Sequence, residues 1–286
     1  KNISGDNNVA IGSSALYNNT TADNNTAVGR SAGAGLTTGI DNTLIGSGAA
    51  IALSIGLDNV AVGKDAAQDM TIGRFNIAIG TQALGNETVG DRSVAIGYQS
   101  GYGQVSDSNN ETAGNVYVGM YSGHFNVTGT GNTAMGYQAL YGASGQNGTD
   151  NVAIGRNAAL ICRGDSNTFV GALAGDGTDD GAENVAIGYL ALSGNCGNGN
   201  VVVGKQAMEA GTGTQNTVVG LGAGYQLTSG GNNCFLGADT GQTGSPGGAI
   251  TTGSNEIVLG DENITEAHIQ VDWTVASDQR DKTDFT

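Results

Sequence analysis

Basic residues are scarce in this sequence: ten Lys and Arg stand against 26 Asp and Glu, and the formal net charge is -16 at pH 7. A chain of this charge repels phosphate backbones and anionic lipids. It also lacks an apolar run of about 18 residues, the length that a helix needs to span a bilayer. We therefore expect no nucleic-acid partner and no membrane insertion.

Cysteine and histidine are equally rare. Cys162, Cys196 and Cys234 are an odd number without close Cys or His partners, which indicates neither a disulfide framework nor a zinc site. Cys234 takes a repeat position that otherwise holds Val, Thr or Ile, so we expect a small buried residue. His124 and His268 lie far apart without ligand-spaced partners, and no nucleotide-binding glycine motif occurs. The sequence thus predicts no metal and no cofactor.

Proline and aromatic residues are also few, whereas glycine is abundant: Pro246 is the single proline, aromatics make up 5% of the chain, and there are 51 Gly. Such a composition is typical of disordered linkers, but here glycine recurs at fixed spacing beside aliphatic residues. The segment Asn-Val-Ala-Ile-Gly at residues 8–12 returns, with conservative changes, fifteen times. Its glycine falls on 12, 29, 46, 63, 80, 97, 119, 136, 155, 171, 188, 204, 220, 237 and 260.

These glycines define a repeat array. Eight of the fourteen intervals between them are 17 residues, which accommodates two short strands and two turns, one coil of a β-solenoid. The sequence predicts an all-β fold, a parallel β-roll of about fifteen coils. At about 4.8 Å per coil, the rod would be on the order of 70 Å long.

Each unit carries the same pattern around its glycine. The preceding residue is always aliphatic, and the residue three before the glycine is β-branched in fourteen of fifteen units. Because these positions lie two apart, we predict that they share the buried face of a strand. The residue between them is mostly Ala, which predicts a second, small packing face. Ala also follows the glycine by three residues in eleven units, where it would let backbones approach closely.

Asparagine precedes the glycine by four residues in thirteen of fifteen units. Asn tolerates left-handed backbone and caps turns, and stacked amides can bond to each other in a ladder. Longer intervals mark insertions at Gln104–Gly114, Tyr141–Asp150 and Thr240–Ser254, which are either recognition loops or tolerated surface variation. The acidic segment Asp176–Glu183 is either a solvated turn or, with less support from its spacing, a Ca²⁺ site.

The pattern Asn-x-Val-Ala-Ile-Gly-x-x-Ser/Ala-x-Ala, as in Asn8–Leu16, Ser93–Gly101 and Asn151–Ala159, resembles the head repeats of trimeric autotransporter adhesins such as the Yersinia adhesin. It is similar to repeats of bacteriophage tail fibres as well. The resemblance covers residues 1–260. It implies a left-handed parallel β-roll and a homotrimer in which three rolls pack around an axis and use the small Ala and Gly positions.

Beyond the repeats, residues 261–276 form a connecting strand region, and Ser277-Asp278-x-Arg280-x-Lys282 follows. This motif resembles the opening of the endosialidase-type intramolecular chaperone domain at the end of many phage tail fibres. The resemblance implies that Ser277 is the nucleophile and Lys282 the base of an autocleavage at the Ala276–Ser277 bond. Residues 277–286 would then be the start of a truncated chaperone domain, and cleavage would require the full domain.

These features favour a structural, receptor-binding tail fibre of a bacteriophage, located in the virion. Its expected partners are two further copies of the chain, a glycan or protein receptor on the host surface, and other virion tail proteins. The alternatives are the head of a trimeric autotransporter adhesin on a bacterial cell surface and, with less support, a glycan depolymerase tailspike. A depolymerase needs a positioned carboxylate pair, whereas the acidic residues here are scattered, so apart from autocleavage we expect no enzyme.

Overall fold

The computed structural model describes residues 3–106, 113–142, 148–266 and 268, and within them the chain forms strands and turns without a helix. There are fifteen strands of three residues each. In chain order, β1 to β15 are Val9–Ile11, Thr26–Val28, Thr43–Ile45, Val60–Val62, Ile77–Ile79, Val94–Ile96, Val116–Val118, Thr133–Met135, Val152–Ile154, Thr168–Val170, Val185–Ile187, Val201–Val203, Thr217–Val219, Cys234–Leu236 and Ile257–Leu259.

All fifteen strands belong to one parallel sheet in which each strand pairs with the next along the chain. The register joins equivalent repeat positions, as when Val9, Ala10 and Ile11 face Thr26, Ala27 and Val28. Because consecutive strands run in the same direction, the chain must return after each strand to the side of the sheet where the next strand begins. Every repeat therefore forms one coil. The predicted all-β, parallel β-solenoid with a repeat of about 17 residues is confirmed.

The prediction of two strands per coil is wrong for the described residues, since each coil has one strand and otherwise forms turns. The cause lies in the backbone that follows the glycine. The second and fourth residues after it are left-handed in many coils, as at Gln82 (φ 57°) and Leu84 (φ 49°). Alternating left-handed residues cannot form an extended strand. Backbone hydrogen bonds still join coils there, for example from Leu84 N to the Ser100 carbonyl at 3.0 Å.

The predicted burial within the strand is also wrong, because the middle residue, and not the flanking pair, points into the coil. Ala78, Tyr117 and Phe169 are fully buried, whereas Ile79 and Ile154 are 37% and 38% exposed. The coil is narrow, so its interior accepts one strand side chain together with the alanines that follow the glycine by three residues. Apart from the partly buried Ala15, those alanines, such as Ala83, are fully buried within a single chain. They are not on a face that could pack between chains.

In some coils of this narrow core, a large side chain is matched by a small one. The ring of Phe169 fills the space beside Gly175, where an added Cβ would lie 2.7 Å from Cδ1 of the ring. In the next coil the middle residue is Ala186, and Leu192 occupies the position equivalent to Gly175. Phe with Gly and Ala with Leu therefore fill similar volumes at native packing density.

The repeated glycine itself lies at a backbone contact between coils. At Gly155, φ is 135°, and an added Cβ would lie 2.5 Å from the carbonyl oxygen of Gly171 in the next coil. Both the backbone conformation and the close approach exclude a side chain at this position. The glycine periodicity is thus a requirement of coil stacking.

The asparagine ladder is confirmed. Within it, Oδ1 of Asn167 accepts hydrogen bonds from the backbone N–H of Asn184 at 2.9 Å and from its Nδ2 at 3.2 Å, and Asn200 bonds to Asn184 in the same way. These side chains are buried. The left-handed residue of this turn is the one before the ladder asparagine, as at Glu183 (φ 60°). The ladder therefore satisfies buried amides along the rod.

Candidate functional site

The strand residues on either side of the buried middle residue form a continuous surface, which we call the outer sheet face. It consists of the first and third residues of β2 to β15, which are half-buried or exposed. Ile45, Ile187 and Leu236 are about two-fifths exposed, at 39%, 41% and 41%. Because the register is constant, these side chains form two parallel columns along the rod.

The outer sheet face is uncharged. None of the fifteen described strands contains Asp, Glu, Lys or Arg, so the charged side chains of the described residues lie outside the strands. On one turn, for example, Arg74 donates from Nη2 to Oδ2 of Asp91 at 2.7 Å, and Asp91 is almost fully buried. Thr recurs at the first strand position, but most residues of the face are aliphatic. An uncharged, mostly apolar surface of this length is much larger than the scattered apolar residues of a monomer surface.

Cys234 belongs to the outer sheet face and is half-buried, so the expectation of a buried residue is wrong there. Cys162 and Cys196 lie in the core, as free thiols. Burial raises the pKa of Cys162 to about 12 and also raises the pKa of Cys196. Both thiols are therefore protonated near neutral pH, which makes them poor nucleophiles and metal ligands.

The predicted autocleavage residues, Ala276, Ser277 and Lys282, lie outside the described residues, so the autocleavage stays a prediction. His268 is exposed, and its Nε2 lies 3.4 Å from Oε2 of Glu266.

The acidic segment Asp176–Glu183 forms turns at the surface. Oδ1 of Asp179 lies 3.2 Å from Nε of Arg163, and burial raises the pKa of Asp176. Within the described ranges, no three His, Cys, Asp or Glu side chains are grouped so that they could hold a metal ion. The carboxylates of this segment thus form no group of three potential metal ligands, and Oδ1 of Asp176 is buried without a hydrogen-bond partner among the described residues.

One surface depression is lined by the carboxylates of Asp239, Asp261 and Glu262. Hydrogen bonds from the side chain and backbone of Asn263 lower the pKa of Asp261. A glycosidase instead needs one carboxyl group with a raised pKa as its general acid. Asp261 is therefore in an environment opposite to the one that such an acid requires.

A buried carboxylate that the sequence did not single out lies in the core beside Gln104. Glu87 is fully buried, and its Oε1 accepts hydrogen bonds from the backbone N–H groups of Thr88, Val89 and Gly90 at 2.8 to 3.1 Å. Gln104 Nε2 donates to Oε2 at 2.7 Å. Because this buried carboxylate receives its hydrogen bonds from neighbouring protein groups, its role is to stabilise the turn.

Seven rings gather on the surface of three consecutive coils, those that begin with β6, β7 and β8, and we call them the aromatic cluster. Its centre is a stack in which His124 lies between Tyr102 and Tyr141, with centroids 5.4 and 5.3 Å away and planes within 13° and 7°. The full set is Tyr98, Tyr102, Tyr121, His124, Phe125, Tyr137 and Tyr141.

Tyr121 connects the stack to the outermost rings. Its ring is perpendicular to that of His124, and their centroids are 5.2 Å apart. Tyr98 and Tyr137 lie 5.3 and 6.5 Å from Tyr121, and they are 41% and 42% exposed. Tyr121 thus lies between two exposed rings in neighbouring coils.

The segments that carry the aromatic cluster, residues 97–104, 119–127 and 136–142, contain no Asp, Glu, Lys or Arg. Burial lowers the pKa of His124, so its imidazole is neutral near pH 7, although the carbonyl of Gln99, 3.2 Å from Nδ1, partly offsets this effect. The cluster was not predicted. The sequence feature that indicates it is an aromatic ring at the fifth position after each of three successive repeat glycines.

Among the described residues, none belongs to a helix long and apolar enough to cross a membrane. Compared with known proteins, the chain matches no protein-family model and shows no significant similarity to a curated protein sequence.

Proposed function

We propose that the chain forms a homotrimeric bacteriophage tail fibre that attaches the virion to the host surface. The observation that carries this proposal is the outer sheet face, an uncharged and mostly apolar surface that runs along the described coils and stays partly exposed in a single chain, by about two-fifths at Ile45, Ile187 and Leu236. Such a surface is stable in water when another apolar surface covers it.

The regularity of the outer sheet face favours another copy of the same chain as its partner. Its side chains recur once per coil, and a second rod has the same spacing between its own coils. Identical rods can therefore match contact for contact over their full length, which a partner of irregular structure cannot do. Three copies around one axis is the arrangement implied by the adhesin and tail-fibre resemblance, and a closed ring leaves no outer sheet face uncovered.

The motif of Ser277 and Lys282 supports a tail fibre over an adhesin head, because the chaperone domain that it resembles occurs in phage fibres. A rigid rod whose turns vary while its strands stay regular is also suited to projecting recognition surfaces away from a virion. Autocleavage after Ala276 would follow trimer assembly.

Sedimentation velocity on the purified chain tests the assembly. We expect a single species of about three times the chain mass of 28.4 kDa. The Ile79→Asp and Ile154→Asp variants should release monomers, because each places a charge on the outer sheet face. A wild-type monomer at micromolar concentration would refute the homotrimer.

Binding of the fluorescently labelled assembly to a panel of bacterial isolates tests attachment. A tail fibre should bind some isolates strongly and others not at all. Binding to eukaryotic cells with no binding to bacteria would instead support the adhesin head, and release of reducing sugar from bacterial polysaccharide would support a depolymerase.

A further inference from the structure

The aromatic cluster is a local departure from the composition of the rod. The chain has nine Tyr, five Phe and one Trp, and six of these residues lie in the cluster. Two of the three insertions that the sequence marks as possible recognition loops adjoin it: Gln104–Gly114 begins two residues after Tyr102, and Tyr141–Asp150 begins with a ring of the cluster. Recognition surfaces commonly arise where loops leave a regular scaffold.

The solenoid does not need rings at these positions. The residue after the repeat glycine is Tyr in the coils of β6 and β8, but it is Arg30, Ser47 and Lys64 in earlier coils that stack with the same register. Tyr98 and Tyr137 expose much of their surface. Since exposed rings at these sites add little to the fold, a ligand is a better reason for their presence.

Amides accompany the rings. Gln99 and Gln138 occupy the same repeat position as Tyr121, in the coils before and after it. Asn157 has this position in the following coil, and its Oδ1 has no hydrogen-bond partner among the described residues. The surface thus combines ring faces, phenol hydroxyls and side-chain amides. Its ring-bearing segments, residues 97–104, 119–127 and 136–142, contain no charged residue, whereas Arg156 stands beside Asn157 in the following coil.

This combination matches an uncharged sugar. The C–H groups on one face of a pyranose carry a partial positive charge and pack on the negative face of an aromatic ring. Its hydroxyls both donate and accept hydrogen bonds, as amides and phenols do. The three coils that carry the rings contain no Lys or Arg to bind a polyanion, and the acidic chain would repel one.

We propose that the aromatic cluster, together with Gln99 and Gln138, binds an uncharged oligosaccharide of the host cell surface. The proposal rests on the attachment function above and names its ligand class and site. Because Tyr98, Tyr121 and Tyr137 come from successive coils, an extended oligosaccharide would lie along the rod and contact one ring per coil. In a trimer, three such sites would act together and raise the avidity for a repetitive surface polysaccharide.

The test is binding of the intact wild-type assembly to a printed array of uncharged bacterial surface oligosaccharides. The variant Tyr98→Ala/Tyr137→Ala removes the two most exposed rings of the cluster. The matched control is Tyr189→Ala, because Tyr189 has the same repeat position and a similar exposure of 44% but lies outside the cluster. Each variant is first checked for the mass and the melting temperature of the wild type.

We expect the wild type to bind at least one oligosaccharide, the double variant to bind it about tenfold or more weakly, and the control to keep wild-type affinity. Gln138→Leu, which keeps every ring, should also weaken binding. The proposal is overturned if no uncharged oligosaccharide binds or if the double variant binds like the control. It is equally overturned if the double variant loses its assembly, since the rings would then be contacts between copies.

The two proposals fail in different ways. If the assembly binds bacterial isolates and the double variant binds them equally well, attachment is supported and the aromatic cluster is not its site. If cell binding survives periodate oxidation of surface sugars but is lost after protease treatment of the cells, the receptor is a protein and the oligosaccharide proposal is wrong.

Discussion

At the scale of single residues, neighbouring strand positions have opposite environments. Ala153 is fully buried, whereas Ile154 beside it is 38% exposed. A charged substitution at each position should therefore affect a different property of the molecule, although the two positions are adjacent in sequence.

Ala153→Asp should destabilise the coil by more than about 3 kcal/mol, because it buries a carboxylate without a partner. Ile154→Asp should leave the folded coil nearly unchanged and instead weaken the association of chains. Thermal unfolding measured by circular dichroism and mass measured by sedimentation separate the two effects. Equal losses of melting temperature in both variants would contradict the orientation of the strand.

His124 gives the rod a predicted pH dependence. Burial between Tyr102 and Tyr141 lowers its pKa below the ordinary value of about 6.5, so the unfolded chain binds a proton more readily than the folded chain. The contribution of neutral His124 to the free energy of unfolding is therefore fully present above pH 6.5, and it decreases as the pH falls below that value.

The variant His124→Phe keeps a ring in the stack but cannot titrate. Between pH 7.5 and pH 5.5, the melting temperature of the wild type should fall more than that of the variant, while carboxylates contribute equally to both. Parallel curves for the two proteins would refute the role of His124.

At the scale of one coil, core volume is shared between the middle strand residue and the fourth residue after the glycine. Phe169 pairs with Gly175, and the next coil has Ala186 with Leu192. Leu192 has φ of 54°, close to the 61° of Gly175, so a leucine is compatible with this backbone.

Replacing Phe169 and Gly175 by the Ala and Leu of the following coil tests whether the two positions share one volume. Phe169→Ala should cost about 3–5 kcal/mol through the cavity that it leaves, and Gly175→Leu should destabilise the coil by collision with the ring. The double variant should recover most of the lost melting temperature, because it reproduces the pair of the following coil. Additive losses in the double variant would show that the two sites do not share one volume.

The coil is also where prediction from sequence succeeded and failed. The glycine spacing and the recurring Asn were sufficient for the solenoid and its ladder, because each reflects contacts repeated in every coil. The alternation in Val152-Ala153-Ile154 defines two faces but does not say which one is interior. Side-chain size suggests that Val152 and Ile154 face inward, whereas the interior position is the middle one, which is Ala153 here and the large Phe169 in the next coil.

The aromatic cluster was beyond prediction for a different reason. Tyr102, His124 and Tyr141 are 17 to 22 residues apart, and they meet only because coils stack in register. Their equal distance from the repeat glycine was visible in the sequence, but the orientation of the rings depends on the left-handed turn that follows the strand.

At the scale of the whole molecule, each coil contacts mainly its two neighbours, so coils are interchangeable units. Removing residues 64–80, one complete repeat between two glycines, should give a folded rod that is shorter by about 4.8 Å. Small-angle scattering measures the length, and circular dichroism measures the fold. Removing only residues 64–71 is the control and should disrupt the register; a folded product from it would contradict the coil boundaries.

The backbone contact at each repeat glycine also affects how such a molecule can change over generations. Because no side chain separates Gly155 from the coil above it, the rise per coil is the same whatever residues occupy the turns. Recombination between similar repeats would therefore change the reach of the rod in whole steps, while the exposed positions of the turns vary in sequence. Reach and recognition can vary independently in this architecture.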